Sequence, residues 1–221
     1  MADAITLEAI DGVRLEAEHA PPVDGSSRRA GMVLCHPHPQ YGGTMRSLVI
    51  SALFDALPRA GVECLRFNFR GVENSGGEYS KGDGERLDAL AAVADLSRRL
   101  PDGVPLVLAG WSFGADIALS CADPAIAGWL LIACPLRFAR DAGLVTGDPR
   151  PKYVVLAQHD EFRDAEEVAR EVAGWRNAQL HVVGGASHFF VGRTDQVIAH
   201  AIAFIDSLAS ERNAGGANEP V

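Results

Sequence analysis

The sequence has little of what marks a membrane-bound, secreted or nucleic-acid-binding protein. Its 221 residues carry a formal net charge of -9, and no run of lysine and arginine is long enough to follow a phosphate backbone. Because this charge repels nucleic acids and anionic membranes, neither is expected as a partner. No apolar stretch approaches the roughly 18 residues of a membrane span, and residues 1–12 are acidic where a secretory signal is basic and then apolar. A cytoplasmic protein without a membrane span is predicted.

Cysteine is also scarce. The four cysteines lie in or beside apolar runs and show neither the pairing of a disulfide framework nor the spacing of a zinc ribbon. They are predicted to be buried, reduced thiols: Cys35, Cys64, Cys121 and Cys134.

What is present is the composition of an ordinary globular protein, with 48% hydrophobic and 22% charged residues. The length fits a single domain, which we expect over residues 1–212. Residues 213–221 have little to bury and are predicted to form a disordered tail.

The order of apolar patterns predicts the fold class. Near-continuous apolar runs indicate strands buried on both faces, as in a parallel sheet: residues 32–35, 62–69, 105–109, 128–133 and 153–157. Helical spacing marks the segments between and after them: 47–60, 85–100, 113–121, 164–175 and 194–208. Alternation on both sides of Asp11-Gly12 predicts an N-terminal antiparallel hairpin. The result is an α/β fold with a mostly parallel open sheet and helices on both faces. Residues 137–151 lack a helical period, so a minimal or absent cap is expected.

One motif points to nucleophilic chemistry. The strand at 105–109 runs into Gly110-Trp111-Ser112-Phe113-Gly114, after which a helix begins. A sharp turn between strand and helix, flanked by glycines, is the setting of a nucleophile elbow that exposes a serine hydroxyl. We therefore predict that Ser112 is a nucleophile.

A serine nucleophile needs a histidine base and an acid that orients it. His188 follows the apolar run at 180–183 and a Gly-Gly-Ala-Ser loop, at the expected carboxyl end of the last strand. Asp160 follows the strand at 153–157 and is predicted as the orienting acid, with Glu161 as its rival and His159 as a loop residue.

The chemistry also needs N–H donors for an oxyanion. The backbone N–H of Phe113 is the first predicted donor, because it follows the nucleophile at a helix start. The second is expected from the loop after residue 35, where the prolines have no N–H. His38 is preferred over Gln40 and Tyr41 because it lies one residue past the His36-Pro37 pair that ends the strand. A metal site built on the histidines of this loop is the weaker interpretation, and neither a metal nor a cofactor is predicted.

Four blocks in order resemble the α/β-hydrolase superfamily, and within it the small lid-poor members akin to dienelactone hydrolase. They are His36-Pro37-His38-Pro39 with Gly42-Gly43, Phe67 to Gly71 with Ser75-Gly76, the elbow at Ser112, and Ser187 to Phe190. The resemblance implies a Ser-His-Asp hydrolase of small esters that uses Ser112, His188 and Asp160. Serine replaces the cysteine nucleophile of dienelactone hydrolases, and Glu73 stands where relatives commonly have glycine.

The sequence thus predicts a carboxylesterase for small or short-acyl esters, acting through an acyl-enzyme. A thioesterase, a peptidase or an acyltransferase would use the same triad, and a non-catalytic binding protein with this fold is the alternative from another class. Ile202, Phe204 and Ile205 on the last helix fit either the core or the face of a homodimer, with the core preferred.

Overall fold

The computed structural model describes residues 2–23 and 27–215 of the chain. The strands in this part of the chain are β1 (Asp3–Glu8), β2 (Arg14–Ala20), β3 (Ala30–Cys35), β4 (Val62–Phe67), β5 (Leu106–Trp111), β6 (Ile126–Ile132), β7 (Lys152–His159) and β8 (Ala178–Ser187). They form one sheet in the order β1-β2-β4-β3-β5-β6-β7-β8. Strands β1 and β2 pair antiparallel, as β2 does with β4, and the pairings from β4 to β8 are parallel. The predicted hairpin and mostly parallel sheet are confirmed.

The helices of the described residues are α1 (Leu48–Ala56), α2 (Asp83–Arg99), α3 (Phe113–Leu119), α4 (Gly143–Thr146), α5 (Ala165–Val172) and α6 (Thr194–Gly215), with 3-10 turns at Pro39–Tyr41 and Leu57–Ala60. Side chains define several starts. Asp164 caps α5 by accepting the N–H groups of Glu166 and Glu167. Glu85 reaches back to accept the N–H of Gly82 before α2, at 2.7 Å.

The sheet separates two apolar layers. In β3, Val33 and Cys35 face one layer whereas Met32 and Leu34 face the other, as the alternation of side chains along a strand requires. Helices α2, α3 and α5 cover the first layer, and α1 and α6 cover the second. All four cysteines are buried and free, as predicted.

Three predicted boundaries differ from the structure. Helix α1 ends at Ala56 and a 3-10 turn replaces its last residues, because Pro58 has no N–H to continue the helical ladder. Helix α5 ends at Val172, short of the predicted residue 175. Helix α6 runs to Gly215, beyond the predicted end at residue 208. The disordered tail over 213–221 stays a prediction, and residues 216–221 lie outside the described residues. The single-domain assignment stays a prediction.

The apolar residues of the last helix pack into the core. Phe204 and Ile205 are 1% exposed, and Ile202 packs against the same cluster at the side of the sheet that α1 shares. The connection of residues 133–151 between β6 and β7 carries only the four-residue helix α4, which confirms the minimal cap. Over the described ranges, no helix has both the length and the apolar character needed to cross a bilayer.

Candidate active site

Ser112 lies at the turn between β5 and α3, with φ 57° and ψ -121°. A non-glycine residue in this region costs on the order of 1–3 kcal/mol, which the surrounding packing must hold in place. The packing is tight on both sides of the serine. A Cβ on Gly110 would lie 2.1 Å from the carbonyl oxygen of Gly114, and one on Gly114 would lie 2.2 Å from that of Cys35. The two glycines thus let strand, helix and the loop after β3 meet around the hydroxyl.

The structure brings the three predicted side chains together. His188 follows β8, and its Nε2 lies 2.8 Å from Ser112 Oγ. Its Nδ1 lies 2.7 Å from Oδ2 of Asp160, which follows β7. A carboxylate only accepts, so Nδ1 carries the proton and Nε2 is free to accept the serine O–H. The side chain of His188 is 5% exposed, which keeps both hydrogen bonds largely away from water.

Asp160 and Glu161 have different partners. Besides His188, Asp160 accepts through Oδ1 the backbone N–H groups of Phe162 at 2.9 Å and Arg163 at 3.2 Å. These bonds fix the carboxylate within its own turn. Glu161 accepts the backbone N–H of His188 at 2.9 Å and so holds the loop rather than the ring. His159 is exposed in the last position of β7, opposite Ser187.

The loop after β3 packs its His38 ring over the elbow. The ring centroid lies 4.9 Å from that of Phe113, and its Nδ1 accepts the N–H of Gln40 at 3.2 Å. Its Nε2 therefore carries the proton and donates to Tyr79 Oη at 3.0 Å. The N–H of Tyr41 donates to the His38 carbonyl at 3.1 Å. The backbone donors of Gln40 and Tyr41 are thus engaged within the loop, whereas the hydrogen bonds of the described residues include none from the N–H of His38 or of Phe113.

His36 is a structural residue in the same loop. It is fully buried; its Nδ1 bonds the Pro37 carbonyl at 2.6 Å, and its Nε2 accepts the N–H of Phe69 at 3.0 Å. Burial lowers its pKa to about 3, so the ring is neutral. Among the residues that the structure describes, no group of three or more histidine, cysteine and acidic side chains is arranged to hold a metal ion.

Sequence reasoning missed Asp116, four residues after the nucleophile. Its buried carboxylate accepts the backbone N–H groups of Leu136, Arg137 and Phe138 at 2.7–2.9 Å and contacts the thiol of Cys134 at 2.9 Å. Burial raises its pKa. The carboxylate ties the loop after β6 to the helix behind the serine. The signal in the sequence is an acid within the otherwise apolar segment 113–119.

Aromatic side chains around the site were also missed. Phe138 packs 5.1 Å from the His38 ring and 5.2 Å from the Phe113 ring, on the side of the serine where the loop after β3 lies. Phe162 and Phe189 pack against His188 on the other side, with ring centroids at 4.5 Å and 5.6 Å. The sequence shows that these residues are aromatic, but only the fold places them at one site.

Comparison with known proteins decides the family. Residues 28–211 match the family model described as an alpha/beta hydrolase domain. The chain belongs to the alpha/beta hydrolase family. Over 174 residues this hydrolase is 32% identical to an uncharacterized protein of Rickettsia prowazekii (strain Madrid E), a match that covers 74% of this chain and 73% of the relative.

Solved structures agree with this hydrolase in fold. An alpha-beta serine hydrolase homologue from Coxiella burnetii is 32% identical with a TM-score of 0.82, over 91% of this chain and 96% of that one. A protein of Xanthomonas campestris described as an α/β serine hydrolase without lid is 29% identical with a TM-score of 0.80, over 92% and 93%. The predicted α/β-hydrolase fold and the resemblance to lid-poor members are confirmed.

Proposed function

We propose that this hydrolase is a serine carboxylesterase that cleaves small or short-acyl esters through Ser112, His188 and Asp160. The observation that carries the proposal is the continuous hydrogen-bonded chain from Ser112 Oγ to His188 at 2.8 Å and from His188 to Asp160 at 2.7 Å. Such a chain makes a serine hydroxyl a nucleophile at neutral pH, because the imidazole takes its proton as the new bond forms.

In the first half-reaction, Ser112 Oγ attacks the ester carbonyl carbon while its proton passes to Nε2 of His188. Asp160 stabilises the resulting imidazolium without taking the proton itself. The tetrahedral intermediate collapses, the carbon–oxygen bond to the alcohol breaks, and His188 gives its proton to the leaving oxygen. Water then attacks the acyl-Ser112 by the same steps and releases the acid.

The negative oxygen of each tetrahedral intermediate needs donors that are already in place. We assign this role to the backbone N–H groups of Phe113 and His38. Both N–H groups are free of bonds within the described residues, whereas the alternative donors of Gln40 and Tyr41 are used in the loop. The 3-10 turn at Pro39–Tyr41 and the tilted aromatic rings that pack against His38 support the conformation of this loop.

Replacement of the nucleophile tests the proposal. Ser112→Ala should lower kcat/KM for p-nitrophenyl acetate by at least about a thousandfold, because the covalent step is lost while binding remains. Ser210→Ala, at an exposed serine of α6, is the matched control and should keep full activity. Circular dichroism establishes that both variants fold.

A fluorophosphonate probe separates the proposal from a non-catalytic role. The wild-type chain should form an adduct on the peptide that contains Ser112, and Ser112→Ala should form none. An unlabelled wild-type protein would favour the binding-protein alternative, whereas a Ser112→Ala variant that is still active would show that Ser112 is not the nucleophile. Comparing kcat/KM for matched acetyl esters, thioesters and amides then distinguishes an esterase from a thioesterase or a peptidase. Formation of a new ester when an alcohol acceptor is added would reveal acyl transfer.

A further inference from the structure

Exposed aromatic rings are concentrated at the candidate site. Among the exposed large apolar side chains of the described residues, three are aromatic: Tyr41, Phe162 and Phe189, with 87%, 48% and 47% of their surface exposed. Each packs against a histidine of the site, Tyr41 against His38 and the two phenylalanines against His188. Isolated exposed apolar residues need no explanation, but a contiguous apolar patch marks a surface that binds something.

Phe162 and Phe189 form one such patch, which we name the aromatic rim. Their ring centroids lie 6.0 Å apart in an edge-to-face arrangement, and the Phe189 ring lies 6.4 Å from that of the buried Trp111. The imidazole of His188 packs against both phenylalanines, with ring centroids at 4.5 Å and 5.6 Å, so that the three rings form a triangle. A planar group bound beside this imidazole would therefore lie within reach of both phenylalanine rings.

Both backbone polar groups of Phe162 are hydrogen-bonded. Its N–H donates to Asp160 Oδ1 at 2.9 Å, and its carbonyl accepts from the Arg137 guanidinium at 2.8 Å. The ring is half exposed although its attachment is fixed. Because the backbone at Phe162 is already fixed, a ligand that packs against the ring does not have to order it. The binding surface is in this sense preorganised.

The backbone around Phe189 is held in the same way. The carbonyl of His188 accepts the indole N–H of Trp111 at 3.1 Å, and the next residue, Phe190, is fully buried with its N–H on the Ser187 carbonyl at 3.0 Å. The chain thus buries one phenylalanine as an anchor and leaves its neighbour at the surface. Phe189 keeps a defined place beside the imidazole.

The chemistry assigns the side of the substrate that meets these rings. His188 must protonate the leaving oxygen, so that oxygen comes within hydrogen-bond distance of Nε2. The group attached to that oxygen then lies next to the imidazole, where the aromatic rim is. The acyl carbonyl points the other way, toward the N–H groups assigned to the oxyanion.

We infer that the aromatic rim binds the alcohol part of the substrate, and that the preferred substrates are esters of an aromatic alcohol with a short acyl group. Edge-to-face and offset contacts between aromatic rings add attraction beyond simple burial, and they act on a planar ring more than on an alkyl group. The inference rests on the proposed function, since it uses His188 as the proton donor to the leaving oxygen.

The experiment compares two esters with the same acyl group. We measure kcat/KM for phenyl acetate and for 2,2,2-trifluoroethyl acetate in the wild type, in Phe162→Leu, in Phe189→Leu and in the double variant. For each protein we take the ratio of kcat/KM for phenyl acetate to kcat/KM for trifluoroethyl acetate. The difference in intrinsic reactivity between the two esters cancels when the ratio of a variant is compared with that of the wild type. The ratio of phenyl to trifluoroethyl ester should fall by about tenfold in the double variant, mainly through KM, because a binding contact is lost.

Two controls isolate the role of the rings. Ile10→Ala removes an apolar side chain that is 91% exposed near the opposite edge of the sheet, and it should leave the ratio unchanged. Phe162→Tyr and Phe189→Tyr keep a ring at each position and should retain the wild-type ratio. They also show that a change at these positions does not by itself disturb the fold.

The outcomes separate this inference from the proposed function. If the rings merely support His188, the leucine variants lower kcat for both esters alike and the ratio stays constant, which overturns the inference. Fluorophosphonate labelling of Ser112 that is normal in such variants leaves the esterase proposal standing. A wild-type protein that is not labelled at all contradicts the proposed function itself.

Discussion

At the scale of single residues, His36 should make stability depend on pH. Burial holds its pKa at about 3 in the folded protein, against 6.5 in an exposed chain. As the pH falls below about 6.5, the unfolded chain takes up a proton that the folded protein refuses. The free energy of unfolding should therefore fall by up to about 1.4 kcal/mol per pH unit from about pH 6 toward about pH 3. Urea denaturation at a series of pH values measures this slope.

His36→Gln separates this slope from that of the carboxylates. Glutamine keeps one donor and one acceptor for the Pro37 carbonyl and the Phe69 N–H, but it does not titrate. Its curve should be flatter than that of the wild type over the same pH range. Parallel curves would show that the folded protein accepts the proton on His36 after all.

The residues differ in how far the sequence alone could reveal their place. Ser112, Asp160 and His188 each end or follow a recognisable strand, and the carboxyl ends of parallel strands meet at one edge of a sheet. Their meeting was therefore predictable. Asp116 was not, because its partners are backbone N–H groups about one loop and one strand further along, and nothing in a residue pattern records where a loop folds back.

At the scale of elements, the elbow reverses a general rule about glycine in helices. Alanine in place of a helical glycine usually adds stability. In α3 the added methyl of Gly114→Ala would lie 2.2 Å from the Cys35 carbonyl oxygen, so β3 and α3 must move apart. We expect the free energy of unfolding to fall by about 1–3 kcal/mol, as in an overpacked core, with loss of esterase activity. Chemical denaturation and the p-nitrophenyl acetate assay measure both.

Gly143→Ala is the matched control for that prediction. Gly143 begins α4, and its added methyl has no atom within 4 Å. This change should leave stability equal or raise it by up to about 1 kcal/mol. Equal effects of the two substitutions would mean that the loop after β3 does not press on the elbow as tightly as the structure has it.

The elements themselves were predicted with uneven success, for a physical reason. Strands β3 to β7 were found because each is an apolar run buried on both faces, a property of the sequence itself. Helix ends were less accurate. The end of α1 depends on Pro58, whereas α6 continues to Gly215 through residues 209–215, a mostly polar segment over which the periodicity predicted no helix. Such ends depend on the balance of local bonds and packing, which periodicity does not measure.

At the scale of the whole molecule, the fold leaves the site open. Ser112, Asp160 and His188 lie at the carboxyl ends of β5, β7 and β8, and the connection that could cover them carries only the one-turn helix α4. A cavity of about 360 Å³ lies instead beside β1 and β2, lined by residues such as Glu16 and Arg46, away from the serine. In the sheet, β4 and β3 lie between β2, which lines that cavity, and β5, which leads to Ser112.

An open site makes a prediction about acyl chain length. Each methylene buried in an apolar tunnel contributes about 0.8 kcal/mol, which is about a fourfold gain in kcat/KM for each methylene added. A chain that remains in water gains almost nothing. For p-nitrophenyl esters from acetate to dodecanoate, kept below their micellar concentrations, kcat/KM should peak between acetate and butanoate and should not rise with further methylenes. A sustained fourfold rise per methylene would require a hydrophobic channel beneath residues 133–151, and the leaving group is constant in the series, so the aromatic rim could not account for it.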